Sequence, residues 1–120
     1  MLLIVDDDPA VLEQAKVLDS GRGVFFAANA EQAKSLMGTL GAEFSVVMVD
    51  LDLPGQDGFS LIREMHTNFP DLPLIAISGV CDQHVLESAK LLGAIEALQK
   101  PIGREWKAAL DRVRSKAARP

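Results

Sequence analysis

Val46-Val47-Met48-Val49-Asp50-Leu51-Asp52-Leu53-Pro54-Gly55-Gln56-Asp57-Gly58 is the stretch on which the reading of this chain turns. An apolar, β-branched run stops at an aspartate, and a turn rich in Pro, Gly and Asp follows. The run has no polar alternation, so it reads as a strand buried on both faces. Such a strand delivers Asp50 to the rim of a sheet, where the chain turns and a ligand can reach it. Three other apolar runs also lead into polar groups. Leu2 to Val5 leads to Asp6-Asp7, Leu74 to Ile77 to Ser78, and Ile95 to Leu98 to Lys100. If the strands are parallel, all these groups gather on one edge.

Helical patterns separate the runs. Asp8-Pro9 reads as an N-cap followed by proline at the first helical position, where a missing N–H does no harm. Val11, Leu12, Ala15 and Leu18 then form one stripe, with Gly21 and Gly23 as the stop. Val24 to Ala28 is the second strand, and Asn29 can cap a helix that turns Ala33, Leu36, Met37 and Leu40 inward and ends at Gly41. Leu61, Ile62, Met65 and Phe69 mark a third helix, closed before Pro70. Val85, Leu86, Ala89 and Leu92 stripe a fourth, with Gly93 placed to cap its end. Trp106, Ala109, Leu110, Val113 and Ala117 face inward from the last. Strands alternating with helices predict an α/β fold, a five-stranded parallel doubly wound sheet with right-handed crossovers and helices on both faces. Ligands of such sheets bind beyond the carboxyl ends of the strands.

Bulk properties narrow the function. A chain of 120 residues, 48% of them apolar, fits one domain over 1–120 and argues against disorder. The net charge of −5 is the wrong sign for direct nucleic-acid binding across the surface. No apolar run approaches the roughly 18–20 residues of a membrane span, and no basic segment precedes an apolar one at the N-terminus. The expectation is no membrane and no signal peptide. A single cysteine suits a reducing, cytoplasmic setting. The last helix carries Arg104, Lys107, Arg112, Arg114, Lys116 and Arg119 against Glu105 and Asp111, which reads as a solvated face.

Asp6, Asp7 and Asp50 brought close together repel, so they need a cation or a raised pKa. A hard divalent ion is the usual solution, and Mg²⁺ suits a site with few carboxylates that keeps waters. Mg²⁺ in turn invites phosphate. Lys100 supplies a compact positive charge and Ser78 a hydroxyl, while backbone N–H groups after Asp50 can complete an anion cradle. With those parts, the Asp50 carboxylate can act as a nucleophile and form an aspartyl phosphate. Other polar residues read as structural: Asp8 as a cap, Asp52 and Asp57 as turn residues, Cys81 as an inert helix-start residue, His66 and His84 as surface residues.

Taken together, Val5-Asp6-Asp7-Asp8-Pro9, Val49-Asp50-Leu51-Asp52-Leu53-Pro54-Gly55-Gln56-Asp57-Gly58, Ile77-Ser78-Gly79, Leu92-Gly93-Ala94 and Lys100-Pro101 resemble the receiver domain of bacterial two-component response regulators over essentially the whole chain. The resemblance implies a flavodoxin-like strand order 2-1-3-4-5. It implies that Asp50 is the phosphoacceptor, that Asp7 and Asp50 ligate Mg²⁺ directly, that the Asp52 backbone carbonyl adds a ligand, and that Asp6 acts through water. Ser78 and Lys100 would bind the phosphoryl group. The implied donor is a phosphohistidine on a sensor histidine kinase or histidine phosphotransfer protein. The implied output is a downstream effector met through the face of helix four, strand five and helix five, with Trp106 and nearby basic residues in it.

Two positions depart from that family. Its usual Tyr or Phe before the lysine is Ala97 here, and the Ala that often follows its Ser/Thr is Gly79. With no ring to swing at Ala97, a smaller rearrangement is expected, concentrated from Ser78 to Leu86 and carried by helix four. Two other readings accompany this one. A receiver-like interaction module that is never phosphorylated is compatible with Ala97. Asp50-x-Asp52 with Ser78 and a lysine also resembles haloacid-dehalogenase-like phosphohydrolases, but their further acidic motif lies downstream of the lysine, and here the acidic pair lies upstream.

Overall fold

In the computed structural model, residues 1–18, 23–53, 55, 57–80, 82–101 and 103–117 are described, apart from the side chains at 18, 116 and 117. The elements alternate along the chain: β1 (Leu2–Val5), α1 (Pro9–Leu18), β2 (Val24–Ala27), α2 (Ala30–Leu40), β3 (Val46–Asp50), α3 (Gly58–Asn68), β4 (Leu74–Ser78), α4 (Gln83–Leu92), β5 (Glu96–Gln99) and α5 (Arg104–Ala117). All neighbouring strands pair in parallel, in the order β2-β1-β3-β4-β5. This is the doubly wound, flavodoxin-like sheet expected from the strand pattern and the family resemblance.

Every residue of β1, β3 and β4 is buried, because helices cover both faces. Alternate residues serve opposite layers. Leu3, Val47, Val49, Leu74 and Ala76 pack with Met37, Leu61, Ile62, Met65 and Ala89 beneath α2, α3 and α4. Leu2, Ile4, Val46, Met48, Ile75 and Ile77 pack with Val11, Ala15, Trp106, Leu110 and Val113 beneath α1 and α5.

Local chemistry sets the helix ends. Asp8 Oδ1 accepts from Ala10 N–H at 3.0 Å, the cap expected before Pro9. Asn29 Oδ1 accepts from Gln32 N–H at 2.8 Å. Gly93 ends α4 at a φ of 125°, a backbone that side-chain-bearing residues avoid.

Several expectations need correction. Asp57 is the N-cap of α3, accepting from Ser60 N–H at 2.8 Å, and is not merely a turn residue. Asp82 caps α4 through Val85 N–H at 2.9 Å. Gly41 does end α2 as expected, with a right-handed φ of −49°, and opens a 3-10 turn over Gly41–Glu43. Strand five is shifted by one residue, with Ile95 exposed outside it, and strand two ends at Ala27. Leu12, Leu36, Leu40, Phe69, Val85, Leu86 and Leu92 are only half-buried, since they sit on the flanks of their stripes. Trp106 is fully buried, so it cannot belong to an exposed partner surface. The stop at Gly21, the inward side chains of Leu18 and Ala117, and Cys81 lie outside the described residues or side chains.

Gly58 fixes how α3 meets the sheet. Its N–H donates to Leu51 O at 3.2 Å, and a Cβ there would run into the main chain of Asp50 and Leu51. Gly38, inside α2, has nothing within 4 Å of the same position. Gly58→Ala should therefore cost about 1–3 kcal/mol as overpacking, whereas Gly38→Ala should gain roughly 0.5–1 kcal/mol of helix stability. Urea unfolding reads both as shifts of the midpoint at unchanged slope. A neutral Gly58→Ala would show that the α3 start is not locked against the end of β3.

Candidate functional site

The carboxyl ends of β1, β3 and β5 make the site, and strand alternation explains which side chains meet there. β1 and β3 pair Leu2 with Val46 and Ile4 with Met48. One step further in the same register sets Asp6 beside Asp50, both on the parity that faces α1 and α5. Lys100 follows Leu98 by two and shares that parity. Its ammonium lies 2.7 Å from Asp6 Oδ2 and 2.9 Å from Asp50 Oδ2. One cation thus bridges two carboxylates from neighbouring strands.

Asp50 is 1% exposed, and its other oxygen is also held: Oδ1 accepts from Asp52 N–H at 3.0 Å. Asp6 is fully buried, and its Oδ1 accepts from Asp8 N–H at 2.9 Å. Its Oδ2 receives no well-aligned hydrogen bond and rests on the charge of Lys100 alone. Burial pushes the Asp6 carboxyl above its ordinary value, and the Asp50 charge adds to this. Lys100 and the Asp8 N–H oppose the rise without cancelling it. For Lys100, burial pulls the ammonium downward, but the contacts with Asp6 and Asp50 outweigh it and raise it. Both shifts state the same fact. Negative charge is crowded here in a place where water is scarce.

Asp7 completes the cluster from the solvent side. It is exposed, while Asp6 and Asp50 are buried, and one carboxylate oxygen from each of the three lies within 4.8 Å of the others. Carboxylates are acceptors only, so an under-bonded Asp6 oxygen beside two more acids is what a small oxygen-loving cation would satisfy. The residues fit such an ion. Asp6, Asp7 and Asp50 are the carboxylates placed to hold it.

Ser78 is positioned differently. It follows Leu74 and Ala76, so its parity faces the opposite layer from Asp50. Its hydroxyl donates to Val80 O at 2.9 Å and accepts from Val80 N–H at 3.1 Å. A hydroxyl has one proton to give. At this position it is spent on its own loop. The sequence offered no sign of this closed loop, nor of Gly58 or the caps at Asp57 and Asp82, beyond the general liking of Asp for caps.

The family model for the response regulator receiver domain matches residues 2–110. The transcriptional regulatory protein AruR of Pseudomonas aeruginosa is 38% identical over 87 residues, covering 68% of this chain and 35% of AruR. The C4-dicarboxylate transport transcriptional regulatory protein DctD of the same organism is 34% identical over 114 residues, covering 94% of this chain and 24% of DctD. The chain thus spans about a third or less of these relatives. Among solved structures, the signal receiver domain of an HD domain-containing protein from Pseudomonas fluorescens superposes with a TM-score of 0.86 at 27% identity, covering 97% of this chain and 94% of that one.

The bridge makes a prediction about its own cation. Lys100→Met leaves two buried carboxylates without an opposing charge, where each hydrogen bond to a charged group is worth about 1.5–3 kcal/mol. The variant should melt lower than wild type in metal-free buffer. It should also gain more from millimolar Mg²⁺, because the ion no longer competes with an ammonium. Calorimetric melting of both proteins with and without Mg²⁺ measures this, and equal Mg²⁺ increments would contradict it. Asp7→Ala should remove the increment in either background.

Proposed function

Since the chain belongs to the response regulator receiver domain family, we propose that it is a phosphorylation-dependent switch in which Asp50 accepts a phosphoryl group from the phosphohistidine of a sensor histidine kinase or phosphotransfer protein. One observation carries the reading: Asp50 ends the central strand with Lys100 on one carboxylate oxygen and the Asp52 N–H on the other. In the transfer, an Asp50 oxygen forms a bond to phosphorus as the phosphorus–nitrogen bond breaks. The electron pair stays with the departing imidazole nitrogen. The surroundings suit that charge flow, because the donors around Asp50 are fixed before the phosphoryl group arrives.

Mg²⁺ held by Asp7, Asp50 and the Asp52 carbonyl, with Asp6 acting through water, would neutralise charge on the transferring group. Lys100 then has to leave Asp6 and Asp50 for the new phosphoryl oxygens, and Ser78 has to release Val80. Both movements begin from contacts present at rest. The output partner would meet the face of α4, β5 and α5, where Leu91 is 87% exposed and Ile95 also stands in solvent. Trp106 supports that face from below. A cytoplasmic setting goes with this role. AruR and DctD are named as transcriptional regulators, so an effector in the same or another chain is the proposed recipient, with no direct nucleic-acid contact by this domain.

Incubation with acetyl phosphate and Mg²⁺, followed by intact mass, tests the proposal. One phosphoryl group should add to the wild type, and Asp50→Asn should stay unmodified under the same conditions. Modification of the Asn variant would move the acceptor elsewhere. A wild type that gains no mass would favour the unphosphorylated interaction module, which the lack of a ring at Ala97 also permits.

A further inference from the structure

Ser78 and Gln99 are register partners at the carboxyl ends of β4 and β5. Gln99 is tied in two directions. Its Nε2 amide donates to Gly79 O at a long 3.5 Å, in the loop that Ser78 closes on Val80. Its backbone carbonyl accepts from Trp106 Nε1 at 3.1 Å, in the first turn of α5. Trp106 is fully buried, so its indole N–H has this acceptor or pays a desolvation penalty. Next in the chain, Lys100 N–H donates to Ser78 O at 2.9 Å. The end of β5 is therefore joined to the Ser78 loop through main chain and side chain alike, and to α5 through the indole.

Resting on the reading of Asp50 as phosphoacceptor, we propose that Gln99 is a positioning residue that couples the Ser78 loop to Trp106 and carries the switch signal into α5. When a phosphoryl group takes the proton of the Ser78 hydroxyl, the Val80 carbonyl loses its donor and the loop shifts. The contact from the Gln99 amide to Gly79 O, long at 3.5 Å, passes that shift to the end of β5. Lys100 moves towards the same phosphoryl group and draws the adjoining backbone with it. The acceptor of the Trp106 N–H is then displaced from both sides. This route needs no aromatic ring on β5, where Ala97 offers only a methyl group.

The protein holds a single tryptophan, so its indole N–H gives one cross-peak in a ¹⁵N-labelled sample. Mg²⁺ with beryllofluoride, a phosphoryl mimic, should shift that peak together with the amides around Asp50 and Ser78. Gln99→Ala and Gln99→Met keep the backbone acceptor but remove the side-chain donor, and Met also keeps the length. The side chain is exposed, so both variants should fold. In both, the site amides should still shift and the indole shift should shrink to what Lys100 and the main-chain link to Ser78 pass on by themselves. An indole that moves in either variant as in wild type overturns the coupling. Site amides that respond in wild type while the indole stays still overturn it too, with the phosphoacceptor reading intact. If neither site nor indole responds in wild type, both proposals fall.

Discussion

A single ammonium held between two buried carboxylates organises the carboxyl edge of this domain. Lys100 reaches Asp6 at 2.7 Å and Asp50 at 2.9 Å. Without it, two like charges on neighbouring central strands would face each other where water cannot screen them. Removing one partner of a buried pair is far costlier than forming the pair is favourable. The end of β5 is thereby bound to β1 and β3 across β4, although β5 is hydrogen-bonded only to β4. Burial raises the Asp6 carboxyl, and the same carboxylates raise Lys100. The site is held together at rest by one cation, with Asp6 Oδ2 under-bonded and positive charge in short supply.

Strand alternation decides who belongs to that bridge. Asp6, Asp50 and Lys100 share one parity, and Ser78 and Gln99 share the other. The polar edge is consequently split into two groups. One holds charge and faces the acidic cluster, while the other holds a hydroxyl and an amide and closes the loop after β4. Gly58 adds a third constraint by letting α3 begin against the main chain of Asp50 and Leu51. The Asp50 backbone is packed from behind, while its side chain is bonded from in front.

The resting contacts also limit how strongly a phosphoryl group can bias the domain. Near-complete switching between two states needs a differential of about 5.5 kcal/mol. Contacts from Ser78 and Lys100 to a phosphoryl group would each contribute roughly 1.5–3 kcal/mol. Ser78, however, gives up the bond it donates to the Val80 carbonyl, and Lys100 gives up two carboxylates. The net bias is therefore smaller than the new contacts alone suggest.

The order of elements, the parallel sheet and the identity of the edge residues were legible in the sequence, because buried central strands need unbroken apolar runs and each run leads to its own polar group. Val46 to Val49 before Asp50 is the clearest case. Caps followed the same logic where Pro9 or Asn29 marked them, but Asp57 and Asp82 were less legible, since aspartate serves turns and caps alike. What only the tertiary structure decided was pairing. Which acid Lys100 touches, that Ser78 bonds its own loop, that Trp106 is buried beneath α5 and that Gln99 spans two elements all depend on strand register and helix docking. Those are relations between residues far apart in the chain. A one-dimensional pattern states which side of its own strand a residue takes, and packing alone states what it meets there.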